Sequence, residues 1–292
     1  MLNINTNYAA SFASNAAKSS SQGLNSAMEK LSTGMRINYA KDDAAGQAIS
    51  TRLSAEVQGL QVASRNAADA QSMIDTAEGA LQETHNVLLR MRELAVQSAN
   101  GTLTDGDRAH TDAEFDQLVA EVTRIANNTT WAGKNLLNGD NASTALSFQI
   151  GEGANQVITV TIANMQATAL GASGSGSSAI PPLADATTPA NGAKLSSATD
   201  AQLAIQSIDN AIDSVSTARG GMGAVSNRLS STISNLDQIA VNLSASQGRI
   251  QDADFAQETG NLAKNQILQQ AATAMIAQAN ASKSSVLTLV RG

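Results

Sequence analysis

Between Leu53 and Ser98 an apolar residue recurs every seven positions: Leu53, Leu60, Ala67, Ile74, Leu81, Leu88 and Ala95. A second row, offset by three, holds Ala63, Ala70, Ala77 and Met91 and is interrupted by Glu56, Thr84 and Ser98. No proline breaks the stretch, and Gly59 and Gly79 are its only glycines. The pattern predicts one helix of about 46 residues, about 70 Å long at about 1.5 Å per residue. A sustained seven-residue repeat forms a left-handed seam that must bury against another helix. A matching row lies far downstream at Ala201, Ile208, Val215, Met222, Leu229, Leu236, Leu243 and Ile250. The two rows predict a pair of long helices, one from each half of the chain.

The termini carry weaker stripes. Residues 4–35 read as a helix with Ile4, Tyr8, Phe12, Leu24, Met28, Leu31 and Met35 as apolar positions and only Lys18, Glu29 and Lys30 charged. From Leu262 to Leu289 a second stripe runs Leu268, Ala272, Met275, Ala279, Ser282, Val286 and Leu289, with no acidic residue after Glu258. Helices so poor in charge are marginal in water unless their apolar stripes are covered. The two termini are therefore expected to pair, with their outer faces covered by other copies of the chain.

Between these segments the pattern changes three times. Asn100–Asp107 is turn chemistry, and Thr104 stands where it can cap a helix over about 105–128 carrying Phe115, Leu118, Val122 and Ile125. Residues 145–163 switch to strand character, with β-branched Val157–Ile162 and a Gly151–Asn155 turn, and predict a β-hairpin lying on the helices. Residues 171–197 hold all three prolines among Gly, Ser, Ala and Thr and read as a solvent-facing linker or tip. Gly220 and Gly221 mark a soft spot in the returning helix.

Composition narrows the function. Aromatics are 2% of the 292 residues, which suits surfaces buried along seams better than one globular core. The net charge of −7 with no basic stripe argues against nucleic-acid binding. There is no cysteine, hence no disulfide and no thiol-based metal or redox site. No apolar run approaches 18 residues, which argues against membrane insertion. The N-terminal Met1–Asn7 lacks the basic start and apolar core of a cleaved secretory signal. That favours the cytoplasm and leaves open export by a route without such a signal.

Candidate chemistry is sparse. Asp42 and Asp43, and Asp252 and Asp254, each precede a helical pattern, where a carboxylate caps free N–H groups. A carboxylate pair could also serve acid–base catalysis or a metal, but no histidine lies near and the flanks are helical. Arg36 and Arg249 each stand before one of these acidic pairs, which suggests Arg–Asp ties across the junction of the two helix pairs. His85 and His110 are isolated, without a zinc-protease pattern, and Trp131 has no aromatic neighbours for a ligand cage. Neither a catalytic residue nor a cofactor or metal is assigned.

Residues Leu31–Ser50, LSTGMRINYAKDDAAGQAIS, resemble the N-terminal signature of bacterial flagellin. So do Arg65–Ala67, Thr76–Leu81, Arg92–Gln97 and Asn135–Gly139, and at the other end Gly223–Val225, Asn227–Arg228, Arg249–Phe255, Gln266–Gln270 and Gln278–Asn280. Together these cover roughly 1–140 and 220–291.

Pattern and resemblance agree on a mainly α fold. It is expected to be a long antiparallel coiled-coil-like helical rod with paired N- and C-terminal halves and a small β-hairpin. The resemblance implies a structural subunit of the flagellar filament, with 1–45 and 250–292 forming the inner core. It places 46–170 and 198–249 in an outer tube and 171–197 in a short variable region. Ile4, Phe12, Leu24, Met28, Leu31, Leu268, Met275, Val286 and Leu289 are the expected assembly residues.

The resemblance further implies export, unfolded, through the flagellar type III apparatus, a chaperone covering residues near 262–289, and cap and hook-associated partners. A host Toll-like receptor is expected to contact Arg90, Leu94 and Glu114, and the C-terminal Val286–Arg291 resembles a segment read by cytosolic immune receptors. Ser175, Ser177 and Thr187 are candidates for O-glycosylation or are bare loop residues. A hook–filament junction protein of the same architecture is the alternative reading. An enzyme on a helical scaffold would need a convergent polar site, and the sequence offers none.

Overall fold

A computed structural model describes the chain apart from residues 1–5, 141, 143–144, 173–180, 185–191 and 292; side chains from 286 onward are likewise outside the description. The described residues form five helices: α1 (Tyr8–Thr33), α2 (Ala44–Ser98), α3 (Asp105–Asn128), α4 (Ala198–Gln251) and α5 (Phe255–Arg291). Two short antiparallel strand pairs lie between α3 and α4: β1 (Thr130–Trp131) with β2 (Lys134–Asn135), and β3 (Leu146–Gln149) with β4 (Val157–Val160). The chain divides into one unit of residues 1–57 and 241–292 and a second of residues 58–240, with boundaries inside α2 and α4.

The second unit is built on the paired rows. Ala67, Ile74, Leu81, Leu88 and Ala95 of α2 are buried, as are Ala201, Ile208, Val215, Met222, Leu229 and Leu236 of α4. Polar pairs on the flanks set the register: Ser64 donates to Asp237 at 3.0 Å, Arg219 meets Glu78 at 3.6 Å, and Arg92 meets Asp209 at 2.7 Å. Numbers rise on one helix as they fall on the other, so the pair is antiparallel. Thr84 and Ser98, which interrupt the second row, are buried within the seam. Thr84 donates to the Ala80 carbonyl at 3.0 Å and Ser98 to the Leu195 carbonyl at 2.8 Å, which satisfies each hydroxyl.

The helix α3 folds back on α2 and buries Phe115, Val122 and Ala126. Its start is fixed by a capping box in which Thr104 accepts from the Asp107 amide while the Asp107 carboxylate accepts from the Thr104 amide. The turn is closed from inside by Arg108, whose side chain is 7% exposed. Its guanidinium donates to the carbonyls of Ser98, Asn100 and Leu103, groups that the end of α2 and the following turn leave without helical partners.

The hairpin forms where period-2 alternation predicts it, with Leu146 opposite Val160 and Gln149 opposite Val157. Ile158 and Val160 point inward and Val157 outward. The β1–β2 pair was not expected from the pattern. Its turn uses Ala132 at φ 49° and Gly133 at φ 80°, a tight reversal in which alanine replaces the more usual Asn or Asp.

The 171–197 segment departs most from expectation. Leu183, Ala193 and Leu195 are buried in the same core as the helices. Leu183 N–H donates to the Leu170 carbonyl at 3.0 Å, Ala193 N–H to the Pro182 carbonyl at 3.0 Å, and Ser207 donates to the Pro181 carbonyl at 2.8 Å. Asp112 of α3 accepts from the Leu195 amide at 2.7 Å. Among the described residues of this stretch, Leu183, Ala193 and Leu195 are thus held in the core where composition alone assigns them to solvent.

Phe115 fills the space beneath α3 with none of its surface exposed. Phe115→Ala is expected to cost about 3–5 kcal/mol. Urea unfolding of the monomer measures this, and an unmoved midpoint would remove Phe115 from the core.

Candidate functional site

Two features of the first unit carry the expected assembly residues: the α1–α5 pair and the junction beside it. The antiparallel register of the pair is explicit. Asn7, the N-cap of α1, donates to the Ala279 carbonyl at 3.2 Å, and Lys30 meets Glu258 at 3.4 Å. Between them, a Cβ on Gly23 would lie 2.8 Å from the Asn265 side chain, so the helices approach closely there.

The seam is made of small side chains. Ala13, Ser20 and Ala27, spaced by seven, are buried on α1, and Ala272 is buried on α5. The large apolar residues face the other way. Phe12 is 77% exposed and Tyr8 73%; Met28 is also exposed, while Leu24 and Leu31 are half-buried. On α5, Ile267 is 65% exposed, and Leu268, Met275 and Phe255 are exposed too. Ile4 lies outside the described residues, as do the side chains of Val286 and Leu289. The stripe read from the sequence on α5 is therefore only in part the intramolecular seam. Ala272 and Ala279 turn toward α1, and Leu268, Met275 and Ser282 turn away.

At the junction, α1 ends on Gly34 in the left-handed conformation. The chain then pairs with the α4–α5 connection. Arg36 N–H donates to the Gln251 carbonyl at 2.7 Å and Ala253 N–H to the Gly34 carbonyl at 2.9 Å. Arg36 Nη2 adds a bond of 2.7 Å to the Ile250 carbonyl. Asp43 caps α2 by accepting from the Gly46 amide at 2.9 Å, and Asp254 starts α5 by accepting from the Ala256 amide at 2.9 Å. Asp42 closes the preceding turn through the amides of Tyr39 at 3.0 Å and Asn38 at 3.2 Å.

The expected cross-segment Arg–Asp ties do not form. Arg36 reaches only Asp43 of its own segment, at 3.9 Å, and among the described residues Arg249 and Asp252 have no ion pair. Backbone groups and the Arg36–Ile250 bond hold the two segments together instead.

Gln251, Ser50 and Ile37, missed from sequence, complete the junction. Gln251 accepts from Ser50 Oγ at 2.7 Å and donates to the Met35 thioether at 2.9 Å, using both ends of its amide. Ile37 is fully buried under Gly46, where a Cβ would stand 2.7 Å from its Cδ1. The positions of these residues inside the Leu31–Ser50 and Arg249–Phe255 motifs were the hint of this role.

A family model for the bacterial flagellin N-terminal helical region matches residues 4–142, and one for the C-terminal helical region matches residues 205–290. The chain belongs to the bacterial flagellin family. It is 44% identical to the flagellin of Bacillus subtilis over 308 aligned residues, covering 99% of this chain and 100% of that one. It is 40% identical to the flagellar filament 33 kDa core protein of Treponema phagedenis, covering 99% of each. A Vibrio parahaemolyticus chain assigned as a flagellar hook-associated protein shares 16% identity at a TM-score of 0.55, over 72% of this chain and 100% of that chain. At that identity the likeness is one of fold alone, and the junction-protein alternative is not favoured. As a flagellin, the chain is a structural subunit of the motility filament, which is extracellular in this family. No described helix is long and apolar enough to cross a membrane.

The flagellin's expected receptor residues lie in the second unit. Arg90 is exposed and meets Glu114 at 2.8 Å and Glu93 at 3.0 Å, whose hydrogen bonds raise the pKa of its guanidinium. Leu94 is 2% exposed, packed inside the helical core, and is not available to a partner's surface.

Asp42 gives the junction a pH dependence. Hydrogen bonds from the Tyr39 amide first, and from Asn38, hold its carboxyl below the usual carboxylate range. Its folded pKa is below its unfolded one, so the stabilisation is present at neutral pH and is lost as pH falls through the lowered value. The protection factors of the Asn38 and Tyr39 amides, corrected for the intrinsic pH dependence of exchange, should fall in acid, and Asp42→Asn should show the reduced protection already at neutral pH. Equal protection in both chains would remove this role.

Proposed function

We propose that this flagellin polymerises by burying the outward apolar faces of α1 and α5 against different, non-equivalent faces of neighbouring copies. One observation carries the reading: the pair places alanine and serine inside and Tyr8, Phe12, Ile267, Leu268 and Met275 outside. Exposed large apolar residues along two facing helices mark an interaction surface. Repeated heterologous contacts that do not close into a ring give an open helical fibre. On this reading the terminal helices form the inner core of the filament, and the α2, α3 and α4 helices with the hairpin form an outer tube. The backbone ladder between Arg36 and Gln251 then ties together the two segments of the terminal-helix unit.

Before assembly the same faces would promote aggregation. This supports export of the unfolded chain through a flagellar type III apparatus, with a chaperone covering residues near 262–289 until then. Cap and hook-associated proteins, built on related paired helices, would meet the filament at its ends. Ser175, Ser177 and Thr187, the proposed glycosylation positions, lie outside the described residues.

Full burial of one large apolar side chain is worth about 1.5–3 kcal/mol, and about 1.4 kcal/mol is a factor of ten in affinity. Phe12→Ser is therefore expected to raise the critical concentration for seeded growth by about tenfold or more while leaving the monomer's circular dichroism unchanged. Turbidity and negative-stain microscopy of seeded monomer measure it. Growth at the unaltered concentration would overturn the proposed face, and seeds gaining a single capped layer would restore the junction-protein reading.

The exposed Arg90–Glu114 pair supports contact with a host Toll-like receptor on the outer face of α2 and α3. Leu94 would support that face from beneath. Arginine is a frequent interface anchor, so Arg90→Ala should weaken receptor signalling by the monomer about thirtyfold, equivalent to about 2 kcal/mol. Unchanged signalling would exclude Arg90 from the contact.

A further inference from the structure

Asn100–Gly101 forms the turn after α2, and both residues are exposed. The Asn100 carbonyl accepts two bonds from the buried Arg108 guanidinium, at 3.4 Å from Nη1 and 3.2 Å from Nη2, and a third from the Leu103 amide at 3.3 Å. That carbonyl belongs to the peptide whose nitrogen is Gly101 N. A cation on the oxygen stabilises the imidate form and makes the Gly101 N–H more acidic. The Asn100 side chain is set as the electrophile: its Oδ1 accepts from the Thr102 amide at 3.2 Å, a donor placed where oxyanion charge would develop. A Cβ on Gly101 would meet nothing within 4 Å, so neither side chain nor neighbour blocks the approach.

We propose that Asn100 is a self-modifying site that deamidates through a succinimide faster in the folded protein than in the unfolded chain. Gly101 N loses its proton to water and attacks Asn100 Cγ. The new C–N bond forms as the bond to Nδ2 breaks, and Nδ2 leaves with protons from water as ammonia. Water then adds to one of the two imide carbonyls and opens the ring to aspartate or isoaspartate. The balance is one water consumed and one ammonia released. Each event makes the formal charge of −7 one unit more negative. The isoaspartyl product also inserts a methylene into the backbone beside the carbonyls that Arg108 holds. Aged subunits thus differ from new ones at the α2–α3 turn.

Asn138–Gly139 is an internal comparison. There Oδ1 accepts from the i+2 amide, that of Asp140 at 3.1 Å, as at Asn100, but Nδ2 also donates to the Asp140 carboxylate at 2.7 Å, so the leaving nitrogen is held against an anion. Among the described residues no cation donates to the Asn138 carbonyl.

The test incubates the full chain at neutral pH, folded and in urea, and follows both sites by peptide mass spectrometry and isoaspartate methylation. Asn100 is expected to convert about tenfold faster folded than unfolded, in line with modest preorganised donors, while Asn138 converts more slowly when folded. An Asn100 rate in the folded chain equal to or below that in urea would overturn the proposal. Arg108→Lys, checked for fold by circular dichroism, should slow Asn100 toward the urea rate. A folded Arg108→Lys chain with the unaltered rate would overturn the role of the guanidinium.

Discussion

Ala13, Ser20 and Ala27 let α1 lie close against α5, but such small side chains bring little apolar surface to the contact. Most of the hydrophobic area on these two helices therefore stays outside the seam. The constraint is geometric: a helix has one stripe per face, and the stripe given to the intramolecular partner is the poorer one. Tyr8, Phe12, Ile267 and Met275 are left to whatever packs outside. In the second unit the allocation is reversed. There Ile74, Leu81, Leu88, Ile208 and Leu229 are spent inside the monomer. One unit is thus closed on itself and the other is open to partners, a division suited to a filament subunit.

The junction shows how the open unit is kept in register without a large core. Backbone bonds from Arg36 to Gln251 and from Ala253 to Gly34 make a short ladder, and buried Ile37 packs beneath Gly46. Asp43 and Asp254 start their helices within the same few residues. None of these interactions needs an ion pair across the segments. Exposed ion pairs contribute little, whereas a backbone ladder fixes both direction and offset.

The long rows of α2 and α4 were legible because a period of seven, sustained over many turns, admits few other readings. The hairpin was legible from its β-branched run, and Thr104 from its capping position. The terminal seam was not, because apolar stripes are sought among large residues and an Ala–Ser–Ala row looks polar or neutral. The burial of Leu183 and Leu195 was missed for a related reason. Leu183 and Leu195 are isolated apolar residues in a Pro-, Gly- and Ser-rich context, and nothing periodic announces their burial. Leu94 was placed on a contact surface by motif, although it stands three residues after Met91 and belongs to the same buried face. Gln251 and Ser50 gave no signal beyond their places in the flagellin-like motifs, since their hydrogen bonds depend on a fold that brings distant segments together.

Heptad rows alone leave an ambiguity that the polar residues resolve. Sliding α4 by seven along α2 would keep apolar against apolar, so hydrophobic matching separates the alternatives weakly. The flanking pairs discriminate somewhat: Ser64 and Arg92 are separated by the same interval as Asp209 and Asp237, and a slip breaks both. Exposed pairs of this kind are worth only about 0–1 kcal/mol each. The stronger restraint is the set of buried hydroxyls. Ser98 needs the Leu195 carbonyl, Ser207 uses the Pro181 carbonyl, and in a slipped register the buried Ser98 would lose its acceptor. An unsatisfied buried polar group costs about 1–3 kcal/mol. Ser98, a position that breaks the apolar row, thus chooses among registers that the row cannot distinguish.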